Sequence, residues 1–435
     1  MTFDDEDFLP DSDPVRMLMA VAGLGTLDKF NYRRLLGWSL LWMFLLCAVT
    51  ALEGRLFIGS VSAVVPGVGE VVGMSFAGDT MVWPFTLLIP VILVLCVTAI
   101  RRTRNLLNTL TKRVEQETGE TGLPSDYVDS INKTKKIIVG DFGWVGRTLK
   151  FAPWLIALVF WIFNTTTCML HPLAPVDIYP YKSNIVTVRQ TDGSLVKQEF
   201  SQSVNVPKWD TSFEEAPITC LLTRLWTLIF YSLAPFLIIK LGLLVWAMTS
   251  FINSYSVWAN NALYPNSNLM QPFHPDEFGG FRGVIEVGMV YFYVSIGFVS
   301  LVMLSFLKEG LDAPALHNYL LLILMIPLGL LGMLVPALAT RRIVTSGKAR
   351  YQREIAAHLD LMYDELRDAL NGIDQNRLSE DFDIRLSALQ SFFGQISSIK
   401  EWPFSASVLI RALVVGSAPF IGLVFDLLIS RLMDG

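Results

Sequence analysis

The stretch RRLLGWSLLWMFLLCAVTALE, residues 33–53, decides the fold class. Two arginines precede an uncharged run of about 18 residues, the length that an α-helix needs to cross the ~30 Å hydrocarbon core of a bilayer. Six similar runs follow, so the sequence predicts an all-α polytopic membrane protein with about seven transmembrane helices. The predicted spans are residues 36–53, 81–100, 151–169, 219–248, 284–306, 318–340 and 405–430.

The overall composition agrees with a membrane protein. Of 435 residues, 52% are hydrophobic and 17% are charged, and the mean hydropathy is +0.48. A soluble protein of this size does not need such an apolar excess. The net charge of −5 gives no bulk attraction to nucleic acid. The acidic start MTFDDEDFLPDSDP has no basic region and no short apolar core, so we predict a disordered cytoplasmic tail rather than a signal peptide.

Lysine and arginine cluster at alternate ends of the predicted spans. Because cytoplasmic loops of membrane proteins carry an excess of these residues, the pattern predicts a cytoplasmic N-terminus and an extracytoplasmic C-terminus. A bacterial inner (cell) membrane is the expected location. The clusters that carry most weight are Arg33/Arg34, Arg101/Arg102/Arg104, Arg147/Lys150 and Arg341/Arg342.

The topology divides the chain into membrane and soluble regions. Asp192-Gly193 between two β-prone runs predicts a two-residue β-hairpin turn outside the membrane. Apolar residues at helical spacing predict cytoplasmic helical extensions of the spans. The predicted regions are an acidic tail (1–30), transmembrane helices 1–2 (31–100), cytoplasmic helices (101–150), transmembrane helix 3 (151–169), an extracytoplasmic β-hairpin cap (170–217), transmembrane helices 4–6 (218–340), a cytoplasmic helical region (341–404) and a final transmembrane helix (405–435).

Two outer features have alternative interpretations. The stretch VSAVVPGVGEVVGMSFAG, residues 61–78, favours a short interfacial loop over a re-entrant one. The topology places Cys168 and Cys220 at the outer face, where an oxidising periplasm would allow a disulfide. The sequence leaves bonded and free forms equally open, because it does not give the Cα separation that a disulfide requires.

No catalytic motif is present: the chain has no P-loop, GxSxG, HExxH or paired CxxC. We therefore predict neither an enzyme nor a resident cofactor or metal. The stretch QPFHPDEFGGFRG, residues 271–283, places His274 beside Asp276 and Glu277. The proline and glycines around them favour a turn, with Asp276 or Glu277 capping the next helix, over a metal site.

The last apolar run is unusual for a lipid-facing helix. In WPFSASVLIRALVVGSAPFIGLVFDLLISRLMDG, residues 402–435, small and charged residues recur at helical spacing. Close packing through pairs such as Ala412/Gly416 would explain them, and so would a water-lined pore. In an oligomer, Asp426 would form an outer ring and Arg411 an inner ring. The candidate pore-lining residues are Val408, Arg411, Val415, Ala418, Gly422 and Asp426.

The predicted topology resembles that of insect odorant-receptor-type channels, which are tetramers. The shared features are seven spans, a cytoplasmic N-terminus, a long second outer segment and a pore-like last helix. FHPDEFGGF and WPF before spans resemble uncharacterised bacterial membrane proteins. Together the pattern is similar to bacterial channel-type effectors of anti-phage defence, such as the membrane subunit of the Hailong system. That resemblance implies a homo-tetrameric ion channel controlled by an oligonucleotide (oligodeoxyadenylate) signal from a partner nucleotidyltransferase.

An oligonucleotide requires a basic cytoplasmic site, commonly with aromatic side chains. The basic residues that could form such a site would also serve as topology signals or phospholipid contacts. A secondary transporter and a non-conducting membrane sensor are the alternative functions. The candidate ligand-binding residues are Arg101, Arg102, Arg104, Lys133, Lys135, Lys136, Arg341, Arg342, Lys348, Arg350 and Arg353.

Overall fold

The computed structural model is mostly helical. It describes residues 2–10, 13–57, 62–65, 68–72, 75–77, 82–118, 125–144, 182–190, 192–205, 216–259, 278–309, 316–371 and 381–402, together with single positions 148, 151, 154, 155, 158, 159, 162, 270, 274, 276, 404, 407, 410–412, 414, 416 and 417. The helices are α1 Asp5–Phe8, α2 Pro14–Val21, α3 Tyr32–Leu52, α4 Val82–Thr118, α5 Ser125–Val139, α6 Pro217–Ala259, α7 Arg282–Glu309, α8 Leu316–Leu370 and α9 Phe382–Ser398. The strands are β1 Ser62–Val65, β2 Gly69–Val72, β3 Lys182–Arg189 and β4 Leu195–Asn205.

Four helical segments in the described part of the chain are long and apolar enough to cross a membrane. They are Tyr32–Leu52, Leu233–Tyr255, Arg282–Met303 and Leu322–Asp368. The protein is therefore embedded in a membrane. Four of the seven predicted spans correspond to these segments. The runs 151–169 and 405–430 fall largely outside the described residues, and the run 81–100 lies mostly in α4, where several side chains are not described, so these three spans stay predictions.

α7 lies at the centre of the bundle and packs closely against α8. Within its apolar window 67% of the residues are buried, more than in the other three segments. Gly332 of α8 lies against Tyr291 of α7, where an added Cβ would be 2.9 Å from the tyrosine Cβ. An added Cβ on Gly288 of α7 would lie 3.2 Å from the Met333 Cα of α8. Small residues thus bring the two helices into contact, as is common between membrane helices.

Several helices are too long for a bilayer alone. At 1.5 Å per residue, the 55-residue α8 extends about 80 Å, more than twice the hydrocarbon thickness. Its C-terminal part packs against α9, with Ile355 and Met362 of α8 and Ile396 of α9 buried. α4 and α8 are therefore continuous helices that are longer than a membrane span, whereas α5 ends at Val139 and α9 at Ser398, before the third and seventh predicted spans. The cytoplasmic location of these helical regions stays a prediction.

The four strands form one antiparallel sheet in the order β1-β2-β3-β4. The sheet is larger than the hairpin that we predicted, because the stretch interpreted as an interfacial loop contains β1 and β2. Alternating Val71, Val186 and Val188 build the small core of the sheet. Arg189 of β3 pairs with Glu70 of β2 at 2.9 Å. The loop interpretation was wrong for residues 62–65 and 69–72. β1 pairs with β2 in a local hairpin, and β2 pairs with β3, 115 or more residues further along the chain, which local glycine content does not indicate.

The turn between β3 and β4 differs from the predicted two-residue type. The Gln190 N–H donates to the Ser194 carbonyl at 2.9 Å, so residues 191–193 lie between the paired strands. Gly193 has φ 85°, in the left-handed region. A three-residue connection with glycine in this conformation is a common alternative hairpin loop. Asp192 accepts hydrogen bonds from Ser194, and these lower its pKa below the usual value.

The sheet and the N-terminus lie at opposite ends of α3. At the C-terminal end of α3, the Glu53 carboxylate accepts from the Ile218 and Thr219 N–H groups at 2.8 and 3.0 Å and caps α6. The Arg55 carbonyl at the same end accepts from Phe76, just after the sheet strands. The 21 residues of α3 span about 31 Å, close to the hydrocarbon thickness.

Residues 2–10 and 13–30 are not a disordered tail. In this region, which we call the N-terminal segment (residues 2–30), the described residues form α1 and α2 and pack on the helices. Its apolar side chains belong to the main hydrophobic core; they are Phe3, Phe8, Leu9, Val15, Met19, Leu24, Leu27 and Phe30. The prediction of disorder failed because acidic composition was weighed above these apolar residues, whose burial stabilises the docked form.

Candidate functional site

Three basic side chains from three helices converge on acidic residues of the N-terminal segment. Arg104 of α4 pairs with Asp5 and Asp28, and Lys135 of α5 pairs with Asp7 at 2.9 Å. Lys240 of α6 pairs with Asp13 at 3.5 Å. We call Arg104, Lys135 and Lys240 the basic cradle. Two of its members are predicted ligand-binding residues, and the structure shows them engaged by the chain itself.

The Asp13–Lys240 pair is deeply buried. The two side chains are 2% and 6% exposed, and Lys240 also donates to the Ile138 carbonyl at 3.4 Å. Asp13 accepts from the Val15 N–H at 2.9 Å and so caps α2. Burial raises the pKa of the Asp13 carboxyl, and the nearby Lys240 only partly offsets that effect. A buried charge of this kind depends strongly on its partner.

At the rim of the cradle, Arg104 and Lys135 hold less buried carboxylates. Asp5 is 38% exposed and Asp7 22% exposed, whereas the Arg104 side chain is only 9% exposed. Burial lowers the pKa of the Arg104 guanidinium, and the negative charge of Asp4 opposes this shift. The buried Arg104 side chain thus contacts two carboxylates of the N-terminal segment, those of Asp5 and Asp28.

Phe3 occupies an amide-lined aromatic pocket beside the cradle. The Asn108 side chain accepts from the Phe3 N–H at 2.7 Å and donates to the Phe3 carbonyl at 2.9 Å. The Phe3 ring packs edge-on against Phe251 with centroids 5.9 Å apart, and Phe251 packs similarly against Tyr127. Lys135 lies 5.6 Å from the centre of the Phe3 ring. Donor, acceptor, cation and aromatic groups thus surround one residue.

The other predicted ligand-binding residues do not join the cradle. Two of them hold the end of α9: Lys348 donates to the Ser397 and Ile399 carbonyls at 3.0 and 3.2 Å, and Arg341 lies 5.4 Å from the centre of the Trp402 ring. These contacts fix the junction between α9 and the final predicted span. Arg102 pairs with Glu286, Arg350 with Glu354, and Arg353 with the Ala349 carbonyl; Arg101 is half-buried, and Lys133, Lys136 and Arg342 are exposed.

The final predicted span is described at only some positions, and these are helical. Ala412 is buried, and an added Cβ on Gly416 would lie 3.3 Å from Phe292 of α7. Arg411 and Ile410 are exposed. The small-residue pair therefore faces the protomer's own helices, while the charged residue does not. The other pore-lining candidates, Val408, Val415, Ala418, Gly422 and Asp426, lie outside the described residues.

The remaining candidate residues belong to the predicted disulfide and to the stretch that leads into α7, for which a metal site was the alternative interpretation. Cys220 is buried and disulfide-bonded, whereas Cys47 and Cys96 are free. Cys168 lies outside the described residues, so its pairing with Cys220 stays a prediction. Glu277 also lies outside them. Within the described residues no group of three metal-binding side chains occurs.

Asp276 serves as a turn and cap residue. Its carboxylate accepts from the N–H groups of Phe278, Gly280 and Arg282 at 2.9–3.0 Å, just before α7. Burial raises the pKa of Asp276, but these three hydrogen bonds outweigh that effect and hold it below its usual value. The interpretation of this stretch as a turn with a capping aspartate agrees with these contacts.

Comparison with protein-family models, with curated proteins and with solved structures found no match. The sequence analysis missed Asn108, Phe3 and the acidic partners of the cradle. The available signal was the placement of Phe3, Phe8 and Leu9 among the acidic residues, which is untypical of a solvated tail.

Proposed function

We propose that the chain is one subunit of a homo-oligomeric ion channel, a tetramer, in a bacterial inner membrane. The final helix lines the central pore, and the N-terminus is cytoplasmic. The described membrane segments and the long extensions of α4 and α8 support a membrane protein with a substantial soluble portion. The inferred subunit number and orientation rest on the resemblance and on the positive-inside pattern.

The observation that carries this proposal is the exposed Arg411 within a predicted span that is mostly apolar. An arginine within a membrane span is costly against lipid and normally faces water or another protein surface. A different face of the helix, with Ala412 and Gly416, is already packed within the protomer. Identical copies around an axis would give Arg411 an aqueous environment, and a ring of such charges would influence which ions pass.

Planar-bilayer recording of the purified protein tests the proposal. We expect discrete conductance steps, and Arg411→Glu should shift the permeability ratio toward cations because it replaces a positive ring with a negative one. Asp426→Ala should shift the ratio away from cations. Arg385→Glu, the same charge change at an exposed position of α9, is the matched control. A monomer in detergent, or a silent oligomer, would contradict the channel.

We further propose that a nucleotide signal made by a partner nucleotidyltransferase controls the channel in anti-phage defence. The combination of basic and aromatic groups around Phe3 supports a nucleotide-type ligand. A secondary transporter would instead show substrate flux without unitary currents. A non-conducting sensor would show neither, and the docked N-terminal segment would be its moving part.

A further inference from the structure

We propose that the basic cradle and the Phe3 pocket form a binding site for a short phosphodiester chain, and that the N-terminal segment fills this site in cis. The external ligand and the segment would then compete. This inference rests on the proposed function, in which a signal controls the channel, and it names the site and the regulatory contact.

The charges of the segment match those of a phosphodiester chain. Asp5 and Asp7 contact Arg104 and Lys135 near the protein surface. Carboxylates and phosphates use the same donors on arginine and lysine. Lys135 and Asp7 are 30% and 22% exposed, so their contact is accessible to an incoming anion, whereas Arg104 becomes accessible only after Asp5 moves.

The pocket under Phe3 adds recognition beyond charge. Asn108 presents one donor and one acceptor, both used by the backbone amide of Phe3. The same pair of groups on asparagine recognises the edge of adenine in other complexes. Phe251 contacts the Phe3 ring and would present an aromatic surface to a base in its place, with Tyr127 packed against Phe251. Once Phe3 leaves, Asn108 and Phe251 would be open to a nucleotide base.

The contacts of Asp5 and Asp7 at the rim differ in their expected role from the buried Asp13–Lys240 contact. The Asp13–Lys240 pair is inaccessible, so it anchors the segment rather than meeting the ligand first. Competition would therefore begin at Asp5 and Asp7 and proceed inward. The segment reaches α4, α5 and α6 at once, so its release would alter the contacts among three helices of the bundle.

The test measures binding of a fluorescein-labelled oligodeoxyadenylate of about 10 nucleotides to the full-length protein in detergent. Asp5→Asn/Asp7→Asn keeps the shapes of both side chains but removes their charges. We expect this variant to bind about tenfold more tightly than wild type, because a charge-assisted contact of the competitor contributes roughly the 1.4 kcal/mol that a tenfold change requires. Lys135→Glu should abolish binding. Lys112→Glu, the same charge change at an exposed position of α4, should cause only a small loss.

Hydrogen exchange of residues 3–10 provides the second measurement. Saturating oligonucleotide should increase exchange there if the segment is displaced. Unchanged affinity in Asp5→Asn/Asp7→Asn, or binding without increased exchange, would overturn the competition. These outcomes are independent of conductance: competitive binding to an electrically silent protein would refute the channel and retain this site.

Discussion

Replacement of Lys240 by methionine should release the N-terminal segment. Methionine approximates the length of the lysine chain without its charge, so the carboxylate of Asp13, 2% exposed, would lose its cationic partner. Removing one member of a buried ion pair costs about 3–5 kcal/mol. At 1.4 kcal/mol per tenfold, the lower figure corresponds to an opening equilibrium increased by about 150-fold.

The expected release depends on pH in a defined direction. Burial already raises the pKa of Asp13 above 3.8 even beside Lys240, so without the lysine it should rise further. For a carboxyl with a raised pKa in the docked state, docking is fullest below pH 3.8 and weakens as the pH rises through the higher value. The groups that interact with the Asp13 carboxylate include Lys240 and the N–H groups of Val15 and Arg16.

Hydrogen exchange of residues 14–24 is the assay. Lys240→Met should lose protection, increasingly so toward neutral pH. Asp13→Asn/Lys240→Met should recover most of it and lose the pH dependence, because asparagine retains the oxygen that caps α2 at Val15. Lys133→Met, the same change at an exposed lysine, is the control. Equal protection in Lys240→Met and wild type, or additive losses in the double variant, would refute the reasoning.

Three further predictions concern other parts of the fold. Gly332→Ala should destabilise the protein by about 1–3 kcal/mol because the new Cβ would meet Tyr291. Gly394→Ala, in open space on α9, should stabilise the protein by about 0.5–1 kcal/mol. Thermal unfolding in detergent compares the two variants, and equal shifts in melting temperature would contradict the close α7–α8 contact. Asp276→Asn leaves the Arg282 N–H without its carboxylate acceptor and should lower the melting temperature above pH 4. Since the pKa of Asp276 is lowered on folding, the contribution of this carboxylate to stability is lost as the pH falls below 3.8 through the folded value. A melting temperature equal to that of wild type at neutral pH would argue against the cap. Alkylation of the denatured, unreduced chain should label two of the four cysteines, Cys47 and Cys96, by mass spectrometry; labelling of all four would exclude the Cys168–Cys220 disulfide.

The contrast between residues 33–53 and residues 2–30 shows how far the sequence could predict the fold. An uncharged run of bilayer length has one favourable environment, so its local composition was enough to predict α3 as a membrane span. The N-terminal segment has mixed composition, and its state depends on groups about 100 residues or more away, such as Arg104, Asn108 and Lys240. No local pattern encodes those pairings.

The basic residues show the same division for the candidate site. Their type and clustering were visible in the sequence, and both a ligand site and a topology signal were consistent with it. The packing of the helices divides these basic residues into two groups. Arg104 and Lys135 contact the N-terminal segment, while Lys348 and Arg341 hold the end of α9. Helical composition and membrane embedding were thus determined by the sequence alone, because hydrophobic burial follows residue type. Which charges meet was decided only by the tertiary structure, because a charge pair requires a distance that the order of residues does not supply.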